Sequence, residues 1–195
     1  MTIRPSIGAA LSAVSLGFAL ALTAAISATP AHATTFAPTT EDARIDAAEL
    51  IVRGVVREIW SEEDHNGVIW TRAQVEVSRV YKGRLQERSV VVEQLGGTYA
   101  GRTMRVDGVA RFNLDEEVVL MMDRAKNGNL RTVGMTMGKF TVRLDPYSRA
   151  ELVQQFQVPL ERPYDHRFLP LPAEGQRQTL GDLEARIQRR VEASK

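Results

Sequence analysis

From Ile69 to Ser78 the chain alternates. Ile69, Thr71, Ala73, Val75 and Val77 share one side, and Arg72, Gln74, Glu76 and Ser78 the other. Successive strand side chains point to opposite faces, so the pattern predicts a half-buried strand over 68–81. Its phase slips at Val80-Tyr81, before Lys82-Gly83 ends it. Ahead of it, 49–61 is rich in β-formers (Leu50, Ile51, Val52, Val55, Val56, Ile59, Trp60) and is interrupted by Gly54, the mark of a bend or bulge. Between the two lies a polar turn, 62–67, ending in the hairpin dipeptide Asn66-Gly67. A third strand is expected at Ser89–Leu95, stopped by Gly96-Gly97, with a glycine-bearing excursion over 98–108 behind it. The apolar run Glu117–Met122 reads as a buried strand. The turn Lys126–Asn129 and the strands Leu130–Val133 and Lys139–Leu144 follow. Short strands at close spacing with turn signals between them point to a sandwich or barrel.

Helical pattern appears at both flanks. Thr40 can cap a short N-terminal helix over 40–48, with Glu41 and Asp42 in its first turn. Five of the eight prolines fall between Pro146 and Pro172, so 146–178 is read as an irregular Pro-rich strap with a helical turn at Ser148–Phe156. Thr179-Leu180-Gly181-Asp182 opens a C-terminal helix over 179–195 in capping-box style. Leu180, Leu183, Ile187 and Val191 line the face expected to pack on the barrel.

The first 33 residues differ in kind. After Arg4 no charged side chain occurs through His32, the centre is apolar, and Ala31-His32-Ala33 is a small-x-small cleavage pattern behind Pro30. That order is a secretory signal peptide, with Ala31 and Ala33 before the cut and Thr34 after it. The alternative is a membrane anchor, but the Ala, Ser and Thr content is weakly apolar for a permanent span. The mature chain is expected to be periplasmic or secreted, with no membrane association after signal removal. The whole chain has net charge +1 and the only charge lost is Arg4, leaving basic and acidic residues equal in number. A balanced chain carries no general electrostatic footprint for nucleic acid. Cysteine is absent, which excludes disulfides, thiol catalysis and thiolate metal sites.

Candidate chemistry is sparse. His65 sits among Glu62, Glu63 and Asp64, but neighbours in a tight turn mostly diverge, so the expectation is a solvated turn and no metal site. Asp165-His166 in the strap reads as a surface pair. No nucleophile elbow, zincin or phosphate-loop motif occurs, so no catalytic or cofactor-binding residue is assigned. Trp60, Trp70 and Tyr81, beside Arg53, Arg57, Arg72, Arg79 and Lys82, have the residue types of a base-stacking face. Interleaved Glu58, Glu62, Glu63 and Glu76, together with export, point away from it. Gly96, Gly97, Gly101 and Gly108 form the densest glycine region. They either let a ligand or partner backbone approach closely or serve turn geometry at a barrel corner.

Ala48–Val56, Val75–Gly83 and Glu116–Met122, with Gly96-Gly97 and Gly138-Lys139-Phe140, resemble a family of uncharacterised exported bacterial proteins. Their mature chains begin Thr-Thr-Phe, as Thr34-Thr35-Phe36 does here. More distantly, a strand with glycine, a long strand ending Val-Tyr-Lys-Gly and a buried strand are similar in order to the netrin-like domain. That domain is an OB-type barrel also found in tissue inhibitors of metalloproteinases. The resemblance implies a mainly β, OB-like barrel of five to six strands over 34–145. It also implies an N-terminus at Thr34 placed to meet a partner, although the disulfide-pinned cysteine of those inhibitors is missing here. The expected function is an exported, non-enzymatic binding or protein-interaction module for an unknown protein or small molecule in the envelope or outside the cell. Its interaction residues are expected among Thr34, Thr35, Phe36, His65, Gly96, Gly97, Gly101 and Gly108. The alternative is a periplasmic or secreted hydrolase working through carboxylates that meet only in three dimensions.

N-terminal sequencing of protein recovered from the envelope is expected to begin at Thr34. A membrane-bound chain still starting at Met1 would overturn this and make the segment an anchor.

Overall fold

The computed structural model describes residues 40–155 and 178–194. The chain is mainly β. In order it runs α1 (Glu41–Ala47), β1 (Leu50–Glu63), β2 (Ile69–Lys82), β3 (Ser89–Leu95), β4 (Gly97–Tyr99), β5 (Arg102–Met104), β6 (Glu117–Arg124), β7 (Leu130–Thr132), a 3-10 turn (Met135–Gly138), β8 (Lys139–Leu144), β9 (Glu151–Gln155), β10 (Gln178–Thr179) and α2 (Leu180–Ala193). The six strands expected between Glu49 and Leu144 are all present, and β4 and β5 form a small separate hairpin within the glycine excursion. None of the helices among the described residues is long and apolar enough to cross a membrane.

β1 is the spine. It pairs antiparallel with β2 along one edge, from Ile51↔Lys82 to Glu63↔Ile69, and with β6 along the other, from Leu50↔Met122 to Val55↔Glu117. β2 continues to β3, β3 touches β7 in parallel at Val92↔Leu130, and β7 returns antiparallel to β6. The pairings β1–β2–β3–β7–β6–β1 therefore form a ring, and beyond β6 the same eight-stranded sheet runs on through β8, β9 and β10.

The bend read from Gly54 is a register shift between Arg53 and Gly54. A Cβ there would stand 2.3 Å from the Glu76 carbonyl oxygen and 2.8 Å from Val75 Cγ1, so the two strands lie too close for any side chain. The slip read at Val80-Tyr81 is another of the three irregularities of this pair, between Ile51 and Val52.

β6 divides the core. Val118, Leu120 and Met122 join Val52, Val56, Val75, Val92 and Leu130 within the ring of strands. Val119 and Met121 join Ile51, Phe140, Val142 and Val153 in a second cluster, closed by Ile45 and Ala48 beside α1 and by Leu180, Leu183 and Ile187 of α2. A strand covered on both faces loses its alternation, and that is why 117–122 reads as a continuous apolar run. α1 begins where Thr40 accepts the Ala43 amide at 3.2 Å. α2 begins where Thr179 accepts the Asp182 amide at 3.1 Å.

One local expectation is corrected. The helical turn placed at Ser148–Phe156 is instead β9, after a turn in which Asp145 accepts the amides of Tyr147 and Ser148. Val153 is 1% exposed and pairs with Val142, while Gln154, on the opposite face, is exposed. Burying one side of a five-residue stretch against β8 selects period two over period 3.6. The rest of the strap, 156–177, lies outside the described residues.

Leu183 is fully buried in the second cluster. Leu183→Ala is expected to lower unfolding stability by about 2–5 kcal/mol, read as a lower urea midpoint with unchanged slope. An unchanged midpoint would mean that α2 contributes nothing to the core.

Candidate functional site

The ring is weakest between β3 and β7. β2 follows β3 from Ser89 to Leu95, but on the other edge the pairing with the three-residue β7 is confined to Val92↔Leu130. Past that bridge the buried Gln94 carboxamide donates to the Thr132 hydroxyl at 3.0 Å, so a side chain spans the gap where strands would otherwise meet. Beyond it, among the described residues, a cleft of about 300 Å³ opens. One wall is Gln94, Leu95, Gly96 and Gly97, and the other is the irregular stretch Val109, Ala110, Arg111 and Phe112. Thr71, Thr98, Thr103, Met104, Arg105 and Val106 complete it.

Gly96 and Gly97 owe their identity to the first turn of this wall. Their φ angles are +93° and +143°, where a side chain is strained. A Cβ on Gly97 would lie 2.3 Å from Thr71 Oγ1 and 2.7 Å from Ser61 Oγ. The Gly96 amide donates to the Ile69 carbonyl at 2.7 Å, and its carbonyl accepts the Thr71 hydroxyl at 2.7 Å. Tight packing and positive φ at this turn thus account for both glycines.

The facing wall is held by Lys139. Its ammonium donates to the Arg111 carbonyl and to Glu116 Oε2 (2.7 Å), and lies 5.0 Å from the centre of the Phe112 ring. Glu116 also accepts the Thr141 hydroxyl and, at 3.1 Å, the Asn113 amide. The two side chains are 9% and 11% exposed. Burial pushes the Glu116 carboxyl up, but Lys139, Thr141 and Asn113 outweigh it and hold the group below the usual carboxylate range. For Lys139 burial wins over the attraction of Glu116 and lowers the ammonium. Arg105 and Arg111 are exposed on the lining, have no acidic partner among the described residues, and share it with no carboxylate.

A second buried carboxylate ties down the other side of β3. Glu93, with a side chain 3% exposed, accepts from Asn127 (3.0 Å), Asn129 (2.6 Å) and Arg131 (2.6 Å). Burial raises this carboxyl, and those donors together bring it below the usual range. Arg131 in turn lies 4.5 Å over the Trp70 ring. A smaller hollow, about 210 Å³, lies between β2 and α2. Three of its polar groups are engaged with one another: the Tyr81 hydroxyl donates to Glu184, and Arg79 reaches Glu184 at 3.3 Å. Burial first, then Glu184, pushes the Tyr81 hydroxyl well up.

Of the residues singled out from sequence, Gly96 and Gly97 line the cleft. Gly101 sits at the tip of the β4–β5 hairpin, φ +77°, in open space. Gly108 lies within the stretch that carries Val106 and Val109, and its carbonyl accepts the Thr136 amide at 2.9 Å. His65 is exposed in the β1–β2 turn, 3.1 Å from the Asn66 carboxamide, while Asp64 is committed to the amides of Asn66 and Val68 and to the Trp70 indole. That turn is nonetheless joined to the glycine hairpin by Arg102 and Glu63, 2.5 Å apart. Among the described residues no group of three or more His, Cys, Asp or Glu is placed to hold a metal. Thr34, Thr35, Phe36, the cleavage residues Ala31 and Ala33, and Asp165-His166 lie outside the described residues.

The basic residues near the tryptophans are matched in place. Arg53 meets Glu117 and Glu151 at 2.7 Å each, Arg57 meets Glu76 and Asp115, Arg72 meets Glu62, and Lys82 caps the α1 carbonyls of Ile45 and Asp46. Sequence reasoning missed Gln94, Arg105, Arg111, Phe112, Glu116 and Lys139. The cleft-lining stretch 105–112 has no periodicity to read, and the Glu116–Lys139 pair is separated by 23 positions. Compared with known proteins, the sequence matches no family model and no curated protein.

A carboxyl whose native pKa lies below its unfolded value stabilises the fold above the ordinary carboxylate range, about pH 4.3, and loses that contribution as pH falls through the native value. Glu116 and Glu93 are both of this kind. Glu116→Gln is expected to cost roughly 1.5–3 kcal/mol at pH 7. The gap to wild type should close on acidification as the native carboxyl protonates. Thermal melts from pH 7 downwards check this, and a gap that widens in acid would contradict it.

Proposed function

We propose that the protein is an exported binding module, an OB-like barrel that holds its ligand in the cleft between Gln94–Gly97 and Val109–Phe112. Two things support the barrel. The ring order β1–β2–β3–β7–β6 closes β6 back onto β1, and its single parallel contact is β3–β7. OB-type barrels are partly open five-stranded barrels of this kind that use strand faces and bordering loops to hold ligands. The reading of residues 1–33 as a signal peptide supports a place in the periplasm or outside the cell.

The observation that carries the reading is the lining of the cleft. It combines an apolar surface (Leu95, Met104, Val106, Val109, Phe112) with two exposed arginines, and its volume falls at the lower end of small-ligand sites. A few polar groups on an apolar surface orient a ligand. The alternative of a carboxylate hydrolase calls for acids converging on the cleft, and arginines stand there instead. Nucleic acid is disfavoured because the arginines around Trp60 and Trp70 are taken up by glutamates of the same sheet.

Titrating 15N-labelled protein with a mixed set of small apolar and anionic compounds is expected to shift the amides of Leu95, Gly96, Gly97 and Phe112 before any others, with Phe112→Ala weakening the response about tenfold. Shifts confined to another region would move the ligand site there.

A further inference from the structure

We infer that the ligand is an extended acidic peptide segment, added as a strand to the open edge of β3. The inference rests on reading the cleft as the ligand site. In an antiparallel ladder, alternate residues turn their amide groups to opposite edges. The Gly96 amide is bonded to Ile69 on the β2 side, so the peptide groups of Leu95 face the cleft. On that side β7 has already ended: its register would set Gln94 against Thr132, but only their side chains meet. The ladder is thus interrupted at a point where backbone groups face an open space. Adding a strand from another chain to such an edge supplies main-chain hydrogen bonds, with side-chain pockets for selectivity.

The selectivity on offer is for negative charge. An extended segment places alternate side chains on opposite faces, about 3.3 Å apart along the chain. Apolar side chains would meet Val106, Val109 and Phe112, and acidic ones Arg105 and Arg111. No carboxylate on the lining opposes them.

The test uses purified protein with the N-terminus that cellular processing leaves. The probes are a fluorescein-labelled heptapeptide of alternating valine and glutamate, its valine–lysine counterpart, an N-methylated valine–glutamate version that cannot donate main-chain bonds, and free glutarate. The expected result is binding of the glutamate peptide with amide shifts centred on Leu95 and Gly96. Lysine substitution, N-methylation, or Arg105→Ala with Arg111→Ala should each weaken it at least tenfold, and glutarate should give no comparable shift. Both arginines are exposed, so melting temperature should be unchanged in the double variant. Equal binding of the lysine peptide, insensitivity to N-methylation, or glutarate matching the peptide would each overturn the inference. Failure of every peptide while small neutral compounds still shift the same amides would end the peptide inference and leave the cleft as the ligand site. Silence of those amides to all probes would end both.

Discussion

The structure depends on one strand having two hydrophobic faces. β6 carries Val118, Leu120 and Met122 on one side and Val119 and Met121 on the other, all fully buried. A strand so composed is stable only when both faces are covered, at roughly 25 cal/mol for each Å² of apolar surface removed from water. The ring β1–β2–β3–β7–β6 encloses the first face, and α1, α2 and the β8–β9 extension cover the second. With no cysteine available for a cross-link, this two-sided burial is the principal stabilising term. It also fixes the place of α2: a helix at the far end of the chain is required to complete the cover over β1 and β6.

Polar groups mark the joints between these layers. Arg53 on β1 touches Glu117 on β6, Glu151 on β9 and, at 3.9 Å, Glu184 on α2. It stitches ring, extension and helix at one point. Burial works against the Arg53 charge, but the hydrogen bonds to Glu117 and Glu151 more than offset it. Arg190 and Asp46 join α2 to α1 at the surface, where screening leaves such a pair worth little. Glu116–Lys139 is a different case, because neither side chain reaches much water and removing one partner leaves the other buried and unmatched. Its place behind Arg111 and Phe112 makes it a positioning pair for one wall of the cleft.

What was legible in the sequence follows from range. The strands β1, β2, β3, β6 and β8, both helix caps and the bend at Gly54 were readable because each is decided by neighbours a few positions away. β9 was not. Proline density around 146–172 suggested an irregular strap, and the strand at Glu151–Gln155 exists only because β8 offers Val142 opposite Val153. The cleft was half legible. Gly96 and Gly97 announced a corner, whereas Arg105 and Arg111 lie in a stretch without period, and Lys139 meets its glutamate 23 positions away. The acidic turn around His65 looked like a cluster, but Asp64 spends its oxygens on its own turn and His65 faces water.

The same shortness that ends β7 at Thr132 creates the cleft. Had β7 continued beside β3, Leu95 would have found a partner there. Instead Gly134 enters the left-handed region at φ +63°, and the chain turns through Met135–Gly138 into β8. Gly138 can hold that position only without a side chain, since a Cβ would lie 2.6 Å from the Val133 carbonyl and 2.7 Å from the Met121 carbonyl. Two glycines therefore end β7 early, and two more, Gly96 and Gly97, turn the chain out of β3. Between them they leave a stretch of strand edge open while the hydrophobic interior behind it stays covered by Gln94 and Thr132. Open strand edges invite unwanted pairing. Here the opening is confined to a few residues, and Arg105 and Arg111 share the lining of the cleft beside it.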